Sequence, residues 1–175
     1  KTTTDGTFAR KGAPWEFNLR DIIRWCQLIT SSNVAGGGFS PEVYADMVYV
    51  QRMRTEDDRQ QLRLLYKQKM GQDLPPPTNP AYRITRDWVQ VGHAQVKRRE
   101  RLPASSNCTM GSEPDLLHRM LIPLQALLKA VERGWLCIII GPPASSKTSL
   151  VRLAATLTGN VLREFSMNGA VDTTE

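Results

Sequence analysis

Lys147 and Thr148 follow a loop of small residues, Gly141-Pro142-Pro143-Ala144-Ser145-Ser146, and that combination is suited to binding a polyphosphate. Backbone N–H groups of such a loop wrap phosphate oxygens, and the first turn of a following helix adds the positive end of its dipole. The ammonium of Lys147 would reach the β- and γ-phosphates, and the Thr148 hydroxyl would complete the coordination of Mg²⁺. Against the pattern G-x-x-x-x-G-K-[ST], Gly141, Lys147 and Thr148 match, while Ser146 stands where the pattern has its second glycine. Glycine at that point supplies conformational freedom and close backbone approach to phosphate, so Ser146 bears directly on the loop geometry. The competing reading is an ordinary strand-to-helix turn that happens to carry a Lys-Thr pair.

The flanking elements suit the phosphate reading. Trp135 to Ile140 is an apolar, β-branched run of the length and type expected for a strand buried on both faces. After the loop, Leu150, Val151, Leu153, Ala154 and Leu157 recur at helical spacing, and Gly159 stands where a left-handed C-cap is expected. Val161 to Ser166 reads as a second strand.

Composition sets wider bounds. The chain has 175 residues, 41% hydrophobic and 23% charged, which is globular composition. Its net charge of +6 comes from 23 basic and 17 acidic residues and is spread along the chain, so charge alone does not mark a nucleic-acid groove. Cys26, Cys108 and Cys137 show no metal spacing; Cys26 and Cys137 lie in apolar stretches and read as small core residues in a reducing compartment. No apolar run approaches membrane-spanning length and no leader is visible, which points to a soluble intracellular protein. The loop arrives late, at residue 141, and the strands and Mg²⁺-holding acid that such a domain still needs do not fit between it and residue 175, so the chain reads as a piece of something larger.

Upstream, the pattern is helical. Asn18 can cap a helix running to about Ile29, with Leu19, Ile22, Ile23, Cys26 and Ile29 as its apolar face. Arg20, in its first turn, reads either as part of a solvated edge or as a group facing a phosphate. Ser40-Pro41-Glu42 opens a second helix expected to reach about Arg52, and Thr55-Glu56-Asp57-Asp58 opens a third with Leu62, Leu65, Tyr66 and Met70 inward and Gly71 at its end. Residues 72–80 are a proline-rich break, and Tyr82, Ile84, Trp88, Val89 and Val91 suggest short extended segments before Gly92-His93. His93 stands alone, which favours a structural role. Lys97-Arg98-Arg99-Glu100-Arg101 is a basic cluster, read as a solvated face with RNA or partner contact as the alternative. From about Pro114 a helical pattern with Leu116, Leu117, Met120 and Leu121 runs on, kinked or restarted by Pro123, to Gly134.

Several stretches in order resemble the midasin family of dynein-related AAA+ ATPases. They are residues 14–21 (Pro-Trp-Glu-Phe-Asn-Leu-Arg-Asp), 51–59 (Gln-Arg-Met-Arg-Thr-Glu-Asp-Asp-Arg), 89–94 (Val-Gln-Val-Gly-His-Ala), 147–152 (Lys-Thr-Ser-Leu-Val-Arg), and 165–168 through 172–175. The resemblance implies an incomplete α/β AAA+ P-loop domain preceded by a small α-helical lid. Residues 1–71 would be the lid of one module, 72–80 a linker and 81–175 the N-terminal part of the next module's large domain. It implies ATP and Mg²⁺ as cofactors, with contacts from Gly141, Pro142, Pro143, Ala144, Ser145, Ser146, Lys147, Thr148 and Ser149, and Thr148 on the metal. Val91, Gly92 and His93 would lie beside the adenine. Arg20 falls at the sensor-2 position and would contact the γ-phosphate of the preceding module's nucleotide, work that suits a fixed guanidinium.

The same resemblance implies an ATP-driven motor of the nucleolus and nucleoplasm that removes assembly factors from the precursor of the large ribosomal subunit. The pre-60S particle would be engaged through other parts of the protein, with neighbouring AAA+ modules of the same chain as partners and no membrane. A structural ring module that binds nucleotide without hydrolysing it is the alternative, and Ser146 favours it. A small P-loop kinase or GTPase fits less well, because a proline-separated helical unit precedes the loop.

Overall fold

A computed structural model of the chain describes residues 9, 11, 17–34, 41–75, 78–99 and 117–165. They fall into two units, Lys1–Pro77 and Thr78–Glu175, the first helical and the second mixed α/β.

The first unit is built on α1 (Leu19–Val34), α2 (Pro41–Val48) and α3 (Glu56–Met70). Asn18 caps α1: its Oδ1 accepts from the Arg20 N–H at 3.0 Å, and Asp21 Oδ2 accepts from the Asn18 N–H at 3.2 Å. This is the reciprocal capping arrangement. Asp21 is buried and also pairs with Arg52 at 3.1 Å. That anchoring turns Leu28 and Ile29 inward and leaves Leu19, Ile22, Ile23 and Cys26 exposed. The apolar face expected from the sequence is therefore mostly the outer one, and Cys26 is not a core residue. The helix also outlasts the expected end at Ile29 and runs to Val34, with the Thr30 and Ser31 hydroxyls turned back onto the carbonyls of Cys26 and Leu28, at 2.8 and 3.0 Å.

α2 ends at Val48, short of Arg52, and a 3₁₀ turn over Val50–Arg52 follows, burying Val50 and, just beyond it, Met53. Ser40, expected to cap α2, lies outside the described residues. Thr55 caps α3 by accepting from the Asp58 N–H at 3.2 Å, and Gly71 closes the helix in the left-handed conformation. Leu62, Leu65 and Tyr66 pack inward as expected, whereas Met70 at the frayed end is 50% exposed. Residues 51–59 serve this packing. Gln51 donates to Asp46, Arg52 pairs with Asp21, Arg59 donates to the Met53 carbonyl, and Asp58 accepts from the Ala9 N–H. Leu74, inside the proline-rich break, is buried with Ala45 and Val50.

The second unit begins with an antiparallel meander, β1 (Tyr82–Ile84), β2 (Trp88–Val91) and β3 (Ala94–Lys97), in the order β1-β2-β3. Val91 pairs with Ala94, so Gly92-His93 is a two-residue turn, and Gly92 has the positive φ of 53° that a side chain would disfavour. Val89, Val91, Ala94 and Val96 alternate inward and meet α4 (Leu121–Arg133) and α5 (Lys147–Thr158) through Leu121, Leu124, Leu128, Leu150 and Leu153. The expected kink at Pro123 is resolved by position. A 3₁₀ turn, His118–Met120, leads into α4, and Pro123 falls in the first helical turn, where its missing N–H costs nothing. Gly134, left-handed, ends α4, with the Trp135 N–H donating to the Ala130 carbonyl at 2.9 Å.

Trp135–Ile140 is not a strand here. The segment has no ladder partner among the described residues, and Leu136, Ile138 and Ile140 are 86%, 77% and 65% exposed. Residues 161–165 likewise lack a ladder, with Val161 and Phe165 exposed. A strand exists only through its neighbours' hydrogen bonds, and the meander offers none to these segments. Cys137, expected in the core, is exposed for the same reason.

Candidate nucleotide-binding loop

The local sequence dictates how the loop is held. A Cβ at Gly141 would come within 2.9 Å of Ser145 Oγ, so the Ser145 hydroxyl would have to turn away. Ala144 and Ser146 both adopt positive φ, 59° and 60°, a conformation that L-residues other than glycine rarely take. Ser146 is the N-cap of α5: its carbonyl accepts from the Leu150 N–H at 2.9 Å, but its side chain makes no capping bond. The first-turn amides of α5 thus gain no cap from Ser146 and face outward with the positive end of the dipole.

Lys147 folds back over this loop. Its Nζ donates to the carbonyls of Gly141 and Pro142 at 3.0 and 2.7 Å and to Ser145 Oγ at 3.2 Å. The three donors of the ammonium are thus all taken by neutral acceptors of the loop, and no carboxylate is among them. Thr148 and Ser149 are exposed on the first turn of α5. A cavity of about 420 Å³ opens beside the loop; Gly141, Pro142 and Ala144 to Lys147 line it, together with Arg119, Met120, Pro123, Ile139, Ile140 and Leu150. Its lining sets polar loop residues beside aliphatic side chains. Among the described residues no cluster of His, Cys, Asp or Glu forms a metal site; the side-chain oxygens of this stretch are the hydroxyls of Ser145, Ser146, Thr148 and Ser149.

Of the residues singled out from sequence, Gly141, Pro142, Ala144, Ser145, Ser146 and Lys147 share this cavity. Val91, Gly92 and His93 do not line it. They form the β2–β3 turn, packed on α4, where Gln125 and Pro80 leave no space for a Cβ on Gly92 and Lys129 Nζ donates to the His93 carbonyl at 2.8 Å. Burial, and then the charge of Lys129, push the His93 imidazole below its usual range. Arg20 belongs to the first unit, exposed in the first turn of α1, with its N–H taken up by the Asn18 cap. The basic cluster is in part architectural. Arg98 donates to the carbonyls of Leu157 and Thr85, at 2.9 and 2.8 Å, and binds the end of α5 to the meander. Arg119, Met120 and Pro123 were not legible as site residues, because only the packing of the 3₁₀ turn brings them beside the loop.

Residues 1–73 match the Midasin AAA lid domain. Over 96% of its length the chain aligns with the midasin of Dictyostelium discoideum, 41% identical over 186 residues. The chain belongs to the midasin family. It is also 26% identical over 183 residues to the midasin of Giardia intestinalis. It spans about 3% of the first relative and 4% of the second. The helical first unit is thus a midasin AAA lid, and the mixed α/β second unit is consistent with part of an AAA+ module.

Proposed function

We propose that residues 141–149 hold the triphosphate of ATP, with Mg²⁺ on Thr148, in a midasin AAA+ module. The observation that carries this reading is the pair of left-handed residues, Ala144 and Ser146, in the loop that leads into α5. Such backbone costs on the order of 1–2 kcal/mol per residue, and left-handed residues in a small-residue loop are the conformation from which anion-binding backbone nests are built. The residues fit the ligand: open first-turn amides, an ammonium over the loop and a cavity of about 420 Å³ with an aliphatic side. ATP bound there supplies a polyphosphate for the loop to hold, and Lys147 and the α5 amides neutralise its charge.

In the parent protein this module serves an ATPase motor that removes assembly factors from the precursor of the large ribosomal subunit, in the nucleolus and nucleoplasm. Arg20, at the lid's sensor-2 position, contacts the γ-phosphate held by the preceding module. The exposed apolar face of α1 and the unladdered segment 135–140 are surfaces that neighbouring modules of one ring would cover. A second reading, nucleotide held as ring architecture without turnover, is favoured by Ser146, whose side chain stands where phosphate-binding loops of this pattern have none.

The test is made on the full-length protein with ATP and Mg²⁺, following amide exchange of residues 141–149 and the structure of the pocket. Nucleotide-dependent protection that Lys147→Ala abolishes is the expected result. Exchange that ATP leaves untouched in the wild-type protein overturns the assignment. Protection without any loss of turnover in Lys147→Ala favours the architectural reading.

A further inference from the structure

Arg119 lines the same cavity from the 3₁₀ turn His118–Met120, a different element from the loop that carries Lys147. Its side chain is exposed, and among the described residues it makes no hydrogen bond or ion pair, unlike Arg98 and Arg152 of the same unit, which are bonded to Leu157 and Glu164. Beside it, Met120 and Pro123 give the cavity an aliphatic wall, continued by Ile139 and Leu150. The cavity lining thus combines two chemistries. Backbone amides and an ammonium serve one, and aliphatic surface with a single guanidinium serves the other.

We infer that Arg119 is a base-contacting residue, its guanidinium stacked on the purine ring of a nucleotide seated against Met120 and Pro123. This rests on the reading of residues 141–149 as a phosphate site. The phosphates already have the loop amides and Lys147, so the aliphatic part is left for the planar, weakly hydrated end of the ligand. A guanidinium is planar and itself weakly hydrated, so it stacks flat on an aromatic face, where a strongly hydrated ammonium makes only a point contact. A purine offers the larger face for such a contact. Arg119 thereby contributes to base selection, and Val91–His93, outside the cavity lining, do not touch the base.

Photolabelling of the full-length protein with 8-azido-ATP, with peptide mapping of the label, tests this. Label displaced by ATP should fall on residues 117–123, and Arg119→Ala should lower it about fivefold at subsaturating probe, the size of a solvent-exposed cation–π contact. Arg119→Lys should recover little of that loss, and inorganic tripolyphosphate should protect residues 141–149 from exchange equally in the wild type and both variants. Label that is unchanged in Arg119→Ala, or fully restored by Arg119→Lys, or mapped to residues 91–93, overturns the stacking role while leaving the phosphate site standing. Absence of both ATP-displaced label and tripolyphosphate protection overturns the phosphate site, and the stacking role with it.

Discussion

The Arg99 carbonyl stands in the space that a side chain at Gly159 would fill, and the Arg99 N–H donates to the carbonyl of Thr158 at 2.8 Å. With the Arg98 guanidinium on Leu157, this fastens the end of α5 to the residues that follow β3. Gly71 closes α3 with the same left-handed φ of 70°, but nothing lies within 4 Å of the point a Cβ would occupy there.

That contrast sets a first prediction. Gly71→Ala should cost about 1 kcal/mol, the ordinary expense of a left-handed alanine, while Gly159→Ala should cost about 3 kcal/mol because the Arg99 carbonyl must also move. Site-resolved amide exchange of α3 and α5 in the full-length protein measures both. Equal losses would show that the Arg99 contact constrains nothing.

Ser146→Gly removes a side chain from a left-handed position and leaves the backbone bond from Leu150 in place, since the Ser146 side chain makes no capping bond. The loop should relax by about 1 kcal/mol, and ATP should bind this site about fivefold more tightly. Titration of ATP protection at residues 141–149 reads the change. Weaker binding in the glycine variant would mean that the serine hydroxyl is itself a ligand group.

Glu132 accepts from buried Lys129 at 2.9 Å and from the Gln95 N–H at 3.0 Å, so one carboxylate joins α4 to β3. Glu132→Gln leaves Lys129 without its counter-charge and should destabilise the hairpin by about 3 kcal/mol. Lys129→Met combined with Glu132→Gln should recover part of the loss. Exchange rates of the β2 and β3 amides decide it; a double variant no better than the sum of its parts would deny the pair its coupling.

His93 supplies a pH dependence. Burial and the Lys129 charge hold its pKa below 6.5, so an unfolded chain takes up a proton where the folded hairpin does not. Its stabilising contribution is complete above about pH 6.5 and declines as pH falls from there through the lowered folded value. Protection of residues 91–94 should therefore weaken on acidification across that window, and His93→Gln should flatten the response. An identical slope in the variant would trace the effect to another group.

Local chemistry made much of this chain legible. Asn18 and Thr55 cap the helices they precede, and Gly71 and Gly159 end the helices they follow; the strand after Gly92-His93, which makes that pair a hairpin turn, was not read from the sequence. The second unit's core residues fall on alternate positions of its strands, as the sequence pattern requires. What periodicity missed was set by side chains acting at a distance. Apolar spacing on α1 cannot reveal that Asp21 is tied to Arg52 and so rotates Leu19, Ile22 and Ile23 outward. Of the stretch singled out in the sequence, Gly141, Pro142 and Ala144 to Lys147 line one cavity because they are neighbours in the chain. Arg119 was not legible, since a lone arginine in a helical run gains meaning only from what packs beside it.

The unladdered segment from Trp135 to Ile140 carries a further consequence, for handling the protein. It is uncharged, free of proline and rich in β-branched residues, with its backbone N–H and C=O groups unclaimed by any described strand. Those are the properties of an adhesive edge: two molecules can zip together through such a stretch, and many can stack. Preparations limited to these residues will lose material to intermolecular sheet formation as concentration rises, and a lysine at position 138 will slow that loss while sparing the phosphate loop beyond it.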